Sequence, residues 1–210
     1  VSGTEKGKQP RRMTLRDEQK RQTRLKLLLT SRELFVSRGY AAVTIDDIAS
    51  AVGCSRATFY LHFSSKIDVL QKISAETMEQ RAVAVYADLD QALEEGTQEA
   101  FTAWVRQSLA WFETNKDILP AWDEALALEP EFKEIAKKAI YDLPMAMPKY
   151  LARWGDGRQD EARLRIELLV SQLERFFTRW AVQGTIEFSG DAAADVLGDI
   201  WFPALQPPAN

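Results

Sequence analysis

Between Thr44 and Phe63 the chain writes two short helices separated by one glycine. Thr44-Ile-Asp-Asp47 opens the first: the hydroxyl can accept from a free backbone N–H, and Asp47 sits near the positive helix end. Ile48, Ala49 and Val52 fall on one face of that helix, expected over 45–52. Gly53 permits a sharp reversal, and Ser55 is a good N-cap for a second short helix expected to run to His62. Phe59 and Phe63, four residues apart, anchor its inner face and leave Ser55, Arg56, Ala57 and Thr58 at its polar N-terminal half. A short amphipathic brace, a glycine turn and a polar-tipped second helix make a helix-turn-helix, which presents its second helix to the major groove of DNA.

The rest of the chain reads as helix too. Upstream, Leu27, Leu28, Ser31, Leu34 and Phe35 share a face at spacings of three and four, in a helix from about Asp17 that Gly39 ends. Downstream, Ser65-Lys-Ile-Asp68 repeats the capping logic and opens a long helix expected to reach Leu93. Further helices are expected near 97–114, 116–128, 130–152, 159–184 and 190–204, bounded by Thr97, Asn115, Pro130, the Gly155-Asp156-Gly157 turn and Gly184. No β alternation stands out, although Thr185–Phe188 could be briefly extended. The expected fold is all-α with about nine helices. A basic disordered arm (1–14) precedes a three-helix, helix-turn-helix domain (15–64), a larger helical domain (65–205) and a short tail (206–210).

Charge divides the chain at the same place. Residues 1–66 hold 13 Lys/Arg against 6 Asp/Glu, and residues 67–210 hold 14 against 25. A polyanion is attracted to the first third and repelled by the rest. No run of about 18 apolar residues suggests a membrane span, and the basic N-terminus lacks an apolar stretch behind it, so no secretory signal is read. Cys54 is the only cysteine, which excludes an internal disulfide and suits a cytoplasmic setting. Enzyme chemistry is poorly served. His62 is the only histidine and lies inside the helix-turn-helix, so a Ser-His-Asp site in the larger half is impossible. One Cys and one His cannot build a Cys/His-rich zinc site, and no phosphate-binding glycine loop is present. No cofactor and no metal are expected.

From Leu27 to Leu70 the residues read LLLTSRELFVSRGYAAVTIDDIASAVGCSRATFYLHFSSKIDVL. Glu33-Leu34-Phe35, Gly39-Tyr40, Thr44, Ile48-Ala49, Gly53, Thr58-Phe-Tyr-Leu-His-Phe63 and Lys66 together resemble the DNA-binding domain of the TetR family of regulators. The resemblance implies that Thr44, Tyr60, His62 and Lys66 contact phosphates. It implies that Ser55, Arg56, Ala57 and Thr58 face bases or the adjacent backbone. A plainer reading makes Tyr60 and His62 caps on the apolar face of the small bundle and Arg56 a solvated charge. Two departures are visible: Ser31 replaces a small apolar residue, and its hydroxyl could bond back to a carbonyl one turn earlier; Cys54 replaces a common valine of similar volume.

All six tryptophans lie beyond residue 100. Aromatic density of this kind suits either a core or a small-molecule pocket between helices. Trp104, Trp111, Trp122, Tyr141, Met145, Tyr150 and Phe177 are the candidate lining of a site for a small apolar or aromatic effector. In 159–184, Ile166, Leu169, Val170, Leu173, Phe177 and Trp180 form one stripe that Leu164, Leu168 and Phe176 widen, so two faces must be buried. In 190–204, Ala193, Val196, Leu197, Ile200 and Trp201 lie opposite Asp191, Asp195 and Asp199, and Gly198 would allow close approach of a partner. The resemblance implies a two-fold dimer through these two helices, with Ile166, Val170, Leu173, Val196, Leu197, Ile200 and Trp201 at the interface. The expected function is a homodimeric regulator that binds palindromic double-stranded operator DNA, most simply a repressor released by its effector. In that scheme the helix over 65–93 carries a tilt from pocket to DNA. A helical protein-binding adaptor, or a regulator whose ligand promotes binding or activation, is the alternative.

Overall fold

The computed structural model describes residues 14–74, 80–134, 137, 143–155 and 157–208, and every regular element among them is helical. Most of the basic arm and Tyr141 therefore lie outside the described residues. Thr14, assigned above to the arm, is the N-cap of α1 (Leu15–Arg38) and forms a capping box with Asp17. Gly39 ends that helix at φ 81° and ψ 155°, a backbone region open only to glycine.

The helix-turn-helix follows the local signals closely. Thr44 caps α2 (Ile45–Val52) with a full capping box to Asp47, and Gly53 closes it in the left-handed conformation at φ 77° and ψ 36°. Ser55 caps α3 (Arg56–Tyr60), which stops two residues short of the expected end at His62. The reason lies just downstream: Ser65 Oγ accepts from the Asp68 N–H and Asp68 accepts from the Ser64 N–H, so the chain must turn to begin α4 (Lys66–Ser74). Residues 75–79, where a single long helix was expected to continue, lie outside the described residues; α5 (Gln80–Glu95) resumes beyond them.

The larger half contains α6 (Gln98–Asn115), α7 (Leu119–Leu128), helical residues at 130–134, a 3-10 turn at Leu143–Ala146, α8 (Pro148–Ala152), α9 (Gln159–Phe177) and α10 (Gly190–Ala204). α7 begins three residues later than expected, with Pro120 in its first turn, where a missing N–H costs nothing. α9 ends at Phe177 instead of reaching 184 and passes into a π-helical turn over Thr178–Val182. There the Thr178 hydroxyl donates to the Glu174 carbonyl and the Gln183 N–H reaches the Thr178 carbonyl, an i to i+5 bond. Residues 185–188 form no strand.

Two apolar clusters hold these elements. One gathers Leu27, Phe35, Ile48, Phe59, Phe63 and Leu70 from α1–α4, together with Ile118, Ala121 and Ala125 from the α7 region and Phe132. The other gathers Leu89, Phe101, Val105, Tyr150, Leu169 and Leu197 from α5, α6 and α8–α10. α7 thus belongs, by its packing, with the helix-turn-helix. Ser31 is fully buried in the first cluster, and its hydroxyl has no hydrogen-bond partner, so the expected bond back to a carbonyl does not form.

Candidate nucleic-acid interface and the larger helical half

α3 is short, and its inner anchors decide what it shows outward. Phe59 is fully buried and Phe63 nearly so, their rings 5.9 Å apart. That leaves Ser55, Arg56, Ala57 and Tyr60 exposed on one surface, while Thr58 is half-buried with its hydroxyl 2.9 Å from Ser55 Oγ. The Arg56 guanidinium reaches back to Asp46 on α2 at 3.2 Å and to the Tyr60 hydroxyl at 3.5 Å. Both partners hold its pKa above the ordinary arginine value, Tyr60 first and Asp46 second. An ion pair this exposed is weak, because water screens it, and another anionic partner can displace it.

Thr44 is fully engaged at its helix end: its Oγ accepts from the Asp47 N–H and donates to the Asp47 carboxylate, while its own N–H goes to the same oxygen. It is exposed, with the first turn of α2 beneath it. Lys66 is more deeply engaged than its sequence position suggests. Its Nζ donates to the Tyr40 and Val43 carbonyls at 2.7 and 2.9 Å and lies 4.0 Å over the Tyr40 ring. Burial lowers its pKa, while Glu129 and Glu124 pull the other way. One of its three N–H donors is left over. His62 is half-buried at the end of the α3 turn; Arg24 donates to its carbonyl at 2.7 Å and lies 4.2 Å over the Phe63 ring. Desolvation, then Lys20 and Arg24, keep its imidazole below the usual histidine pKa.

Several supports have no sequence signal. Lys26 donates to the Val52 carbonyl at 2.8 Å, closing the C-terminus of α2. Glu124 on α7 accepts from the Ala41 N–H at 2.8 Å, Glu129 accepts from the Tyr40 hydroxyl at 2.7 Å, and Arg32 pairs with Asp117 at 2.9 Å. The turn between α1 and α2 is thereby tied to α7 as well as to α4.

In the larger half the candidate aromatics separate. Trp104 stacks on Phe101, donates to the Val85 carbonyl at 2.8 Å, and borders a shallow cleft of about 380 Å³ between α5 and α6. Tyr150 is buried against Trp154, with its N–H on Asp90 at 2.7 Å. Trp111 and Phe177 meet through Phe112, which stacks on Phe177 at 4.8 Å and was not among the candidates. Two candidates point elsewhere. Trp122 packs on Phe132 against the helix-turn-helix cluster, and Met145 is 63% exposed.

The expected interface stripe also divides. Ile166, Leu173 and Leu197 are buried in the chain's own core, Val170 and Trp201 are half-buried, and Trp201 donates to Gln172 on α9 at 2.6 Å. The outward apolar side chains are Leu164 and Leu168 on α9 with Val196 and Ile200 on α10, each 52–57% exposed. Gly198 does allow a close approach, but of α6 in the same chain: a Cβ there would lie 3.3 Å from Thr102 Cβ. The Asp191 and Asp195 carboxylates pair with Arg106 and Asp199 accepts from Gln98, so the acidic face of α10 meets α6. No helix among the described residues is long and apolar enough to cross a membrane.

Residues 27–73 match the family model described as bacterial regulatory proteins, tetR family. The HTH-type transcriptional regulator EthR of Mycolicibacterium smegmatis is 30% identical over 115 residues, 51% of this chain and 49% of that protein. The HTH-type transcriptional activator FasR of the same organism is 44% identical over 54 residues, 26% of this chain and 23% of that one. The matched region spans about half the length of these relatives or less. Among solved structures, NalD, the secondary repressor of the MexAB-OprM multidrug efflux pump in Pseudomonas aeruginosa, superposes with a TM-score of 0.62 at 17% identity. That alignment covers 89% of this chain and 96% of NalD.

Proposed function

We propose that this chain, whose residues 27–73 match the family model of tetR-family bacterial regulatory proteins, is a homodimeric regulator that binds operator DNA through α3 and responds to a small molecule in its larger half. One observation carries the reading. Two buried phenylalanines turn the Ser55–Tyr60 surface outward, on the part of the chain where basic residues outnumber acidic ones. In this reading Arg56 leaves Asp46 to meet a base edge, Ser55, Ala57 and Thr58 fit the groove beside it, and Thr44, Tyr60, His62 and the free donor of Lys66 meet phosphates.

The effector we propose is a small apolar or aromatic molecule seated beside Trp111, Phe112 and Phe177, where α6 and α9 meet. Ligand release of a repressor is the sense we favour, in keeping with NalD, itself a repressor. FasR is an activator, which keeps the opposite sense within reach of the same DNA-binding unit.

The test begins with duplexes selected by the full chain from a random pool, and with anisotropy at several salt concentrations. Arg56→Ala is expected to relax base preference at one position of each half-site, where a bidentate contact is worth about 1–3 kcal/mol of discrimination. Lys66→Ala is expected to weaken all duplexes alike and to flatten the salt slope. Uniform loss with Arg56→Ala would make that residue a backbone contact, and the absence of any salt-dependent duplex binding would overturn the function.

A further inference from the structure

Carboxylates from two helices of the larger half converge on one place. Glu167 and Glu174 lie two turns apart on one face of α9, and Asp123 on α7 is within reach of the Glu174 charge. None of these three side chains makes a hydrogen bond or a salt bridge among the described residues. Asp123 and Glu174 are reached by solvent, yet the protein packed around them raises both carboxyl pKa values, as it raises that of the half-buried Glu167. A group that is both wetted and desolvated stands in the wall of a recess, not on a convex surface. After burial, the charges of Asp123 and Glu167 raise Glu174 further, and Arg175, which acts on Asp123, does not outweigh the burial there.

The recess has aromatic walls and polar atoms with nothing to bond. Phe177 follows Glu174 by one turn on the same face of α9 and stacks on Phe112 of α6 at 4.8 Å, beside Trp111. From α5, Tyr86 is only 8% exposed, and its hydroxyl has no hydrogen-bond partner among the described residues. Burial, then Glu174 and Glu167, raise its pKa, so the phenol points toward those two carboxylates. Ser108, on the α6 face that carries Trp104 and Trp111, is also buried with its hydroxyl unpartnered.

Mutually repelling carboxylates and aromatic faces suit one kind of guest. The negative face of a ring attracts a cation, and organic cations are held in aromatic cages. A positive charge beside Glu174 offsets both the repulsion and the cost of burying an ionised carboxylate. A neutral guest leaves both in place, and an anion adds to them. We propose that the recess among α5, α6, α7 and α9 binds a hydrophobic organic cation, its charge held by Glu174 with Glu167 and Asp123 and its apolar body against Tyr86, Trp111 and Phe177. The same place touches the DNA-binding half. Asp123 is followed directly by Glu124, which accepts from the Ala41 N–H, and Glu129 at the end of that helix accepts from the Tyr40 hydroxyl. A cation that draws Asp123 toward α9 therefore pulls on the helix that holds the turn before α2.

The inference rests on the small-molecule response proposed above and narrows its effector by charge. Tetraphenylphosphonium, tetraphenylborate of the same shape and opposite charge, and the smaller benzyltriethylammonium are titrated into the full chain by calorimetry. Duplex affinity is read by anisotropy with and without each. At least one of the two cations is expected to bind and to lower duplex affinity, and tetraphenylborate to do neither. Glu174→Gln is expected to weaken the cation about tenfold or more without lowering the thermal melt. Glu99→Gln, an exposed carboxylate at the far end of α6, is expected to leave cation binding unchanged. If neither cation binds, or if cation binding is unmoved by Glu174→Gln, the inference is overturned. Duplex release by tetraphenylborate alone would keep the small-molecule response and reverse the charge of its effector. A cation that binds and needs Glu174 while duplex affinity stays the same would uphold the site and remove the response.

Discussion

Ser31 is a hydroxyl in the wrong place. Several helical hydroxyls bond back to a carbonyl one turn earlier, Thr23 to Gln19, Ser37 to Glu33 and Thr114 to Ala110, whereas Ser108 in α6, like Ser31, is buried without a partner. Ser31 makes no such bond, and its side chain is fully enclosed by the cluster that includes Leu27, Leu28 and Phe35. A buried polar group without a partner costs about 1–3 kcal/mol, whereas a methyl in the same space costs nothing of that kind and suits a helix better. Ser31→Ala is therefore expected to stabilise the protein by about 1 kcal/mol, read as a higher urea midpoint at unchanged slope, without altering duplex affinity. A lower midpoint would mean that the hydroxyl finds a partner after all. Lys66 is the opposite case. Two of its three donors hold the Tyr40 and Val43 carbonyls and staple the α1–α2 turn, which leaves one donor for the phosphate that the proposed function gives it.

The helix ends of this chain were legible because their causes are local. Thr44, Ser55 and Thr97 each accept from a backbone N–H three residues on, and Gly53 takes a conformation that side chains avoid, so a few residues suffice to place α2 and the starts of α3 and α6. What each helix packs against was less legible, because the answer lies on another element. Trp122 looks like any pocket aromatic until α7 is seen lying on the helix-turn-helix, and Phe112 gives no hint that it bridges Trp111 and Phe177. Gly198 shows the same limit. Its need for a close neighbour is readable, but the neighbour is α6 of the same chain, not a second subunit. A methyl there meets Thr102, which is buried and β-branched and so has few rotamers to escape into. Helix propensity favours alanine by about 1 kcal/mol, and overpacking costs about 1–3 kcal/mol. Gly198→Ala is thus expected to lower the melting temperature in the native background and to raise it when Thr102 is also alanine, a coupling that a double-mutant cycle measures directly. Additive effects would place the strain elsewhere.

At the scale of the whole molecule, the chain has a basic end to meet a polyanion and an apolar face at the other end that its own core does not use. α9 and α10 bury Ile166, Leu173 and Leu197 inward, Arg106 and Gln98 engage the acidic side of α10, and Leu164, Leu168, Val196 and Ile200 remain outward. Burying an exposed aliphatic side chain of this size is worth roughly 1.5–3 kcal/mol, and a two-fold axis counts each one twice, so four such residues per chain can hold a dimer. Leu168→Glu and Ile200→Glu place a charge on that face without touching either core. Light scattering is expected to give about twice the 23.8 kDa of one chain for the native protein and about one chain for the paired variant. Helical content should be retained, because both side chains are already more than half exposed. Duplex affinity should fall with the mass, since a lone subunit meets one half-site where the dimer meets two, about 34 Å apart. If the variant stays dimeric, the subunits meet on some other surface, and the outward stripe of α9 and α10 has a different use. Should the native protein itself weigh one chain at micromolar concentration, the two-fold arrangement is wrong, and a palindromic operator loses its reason.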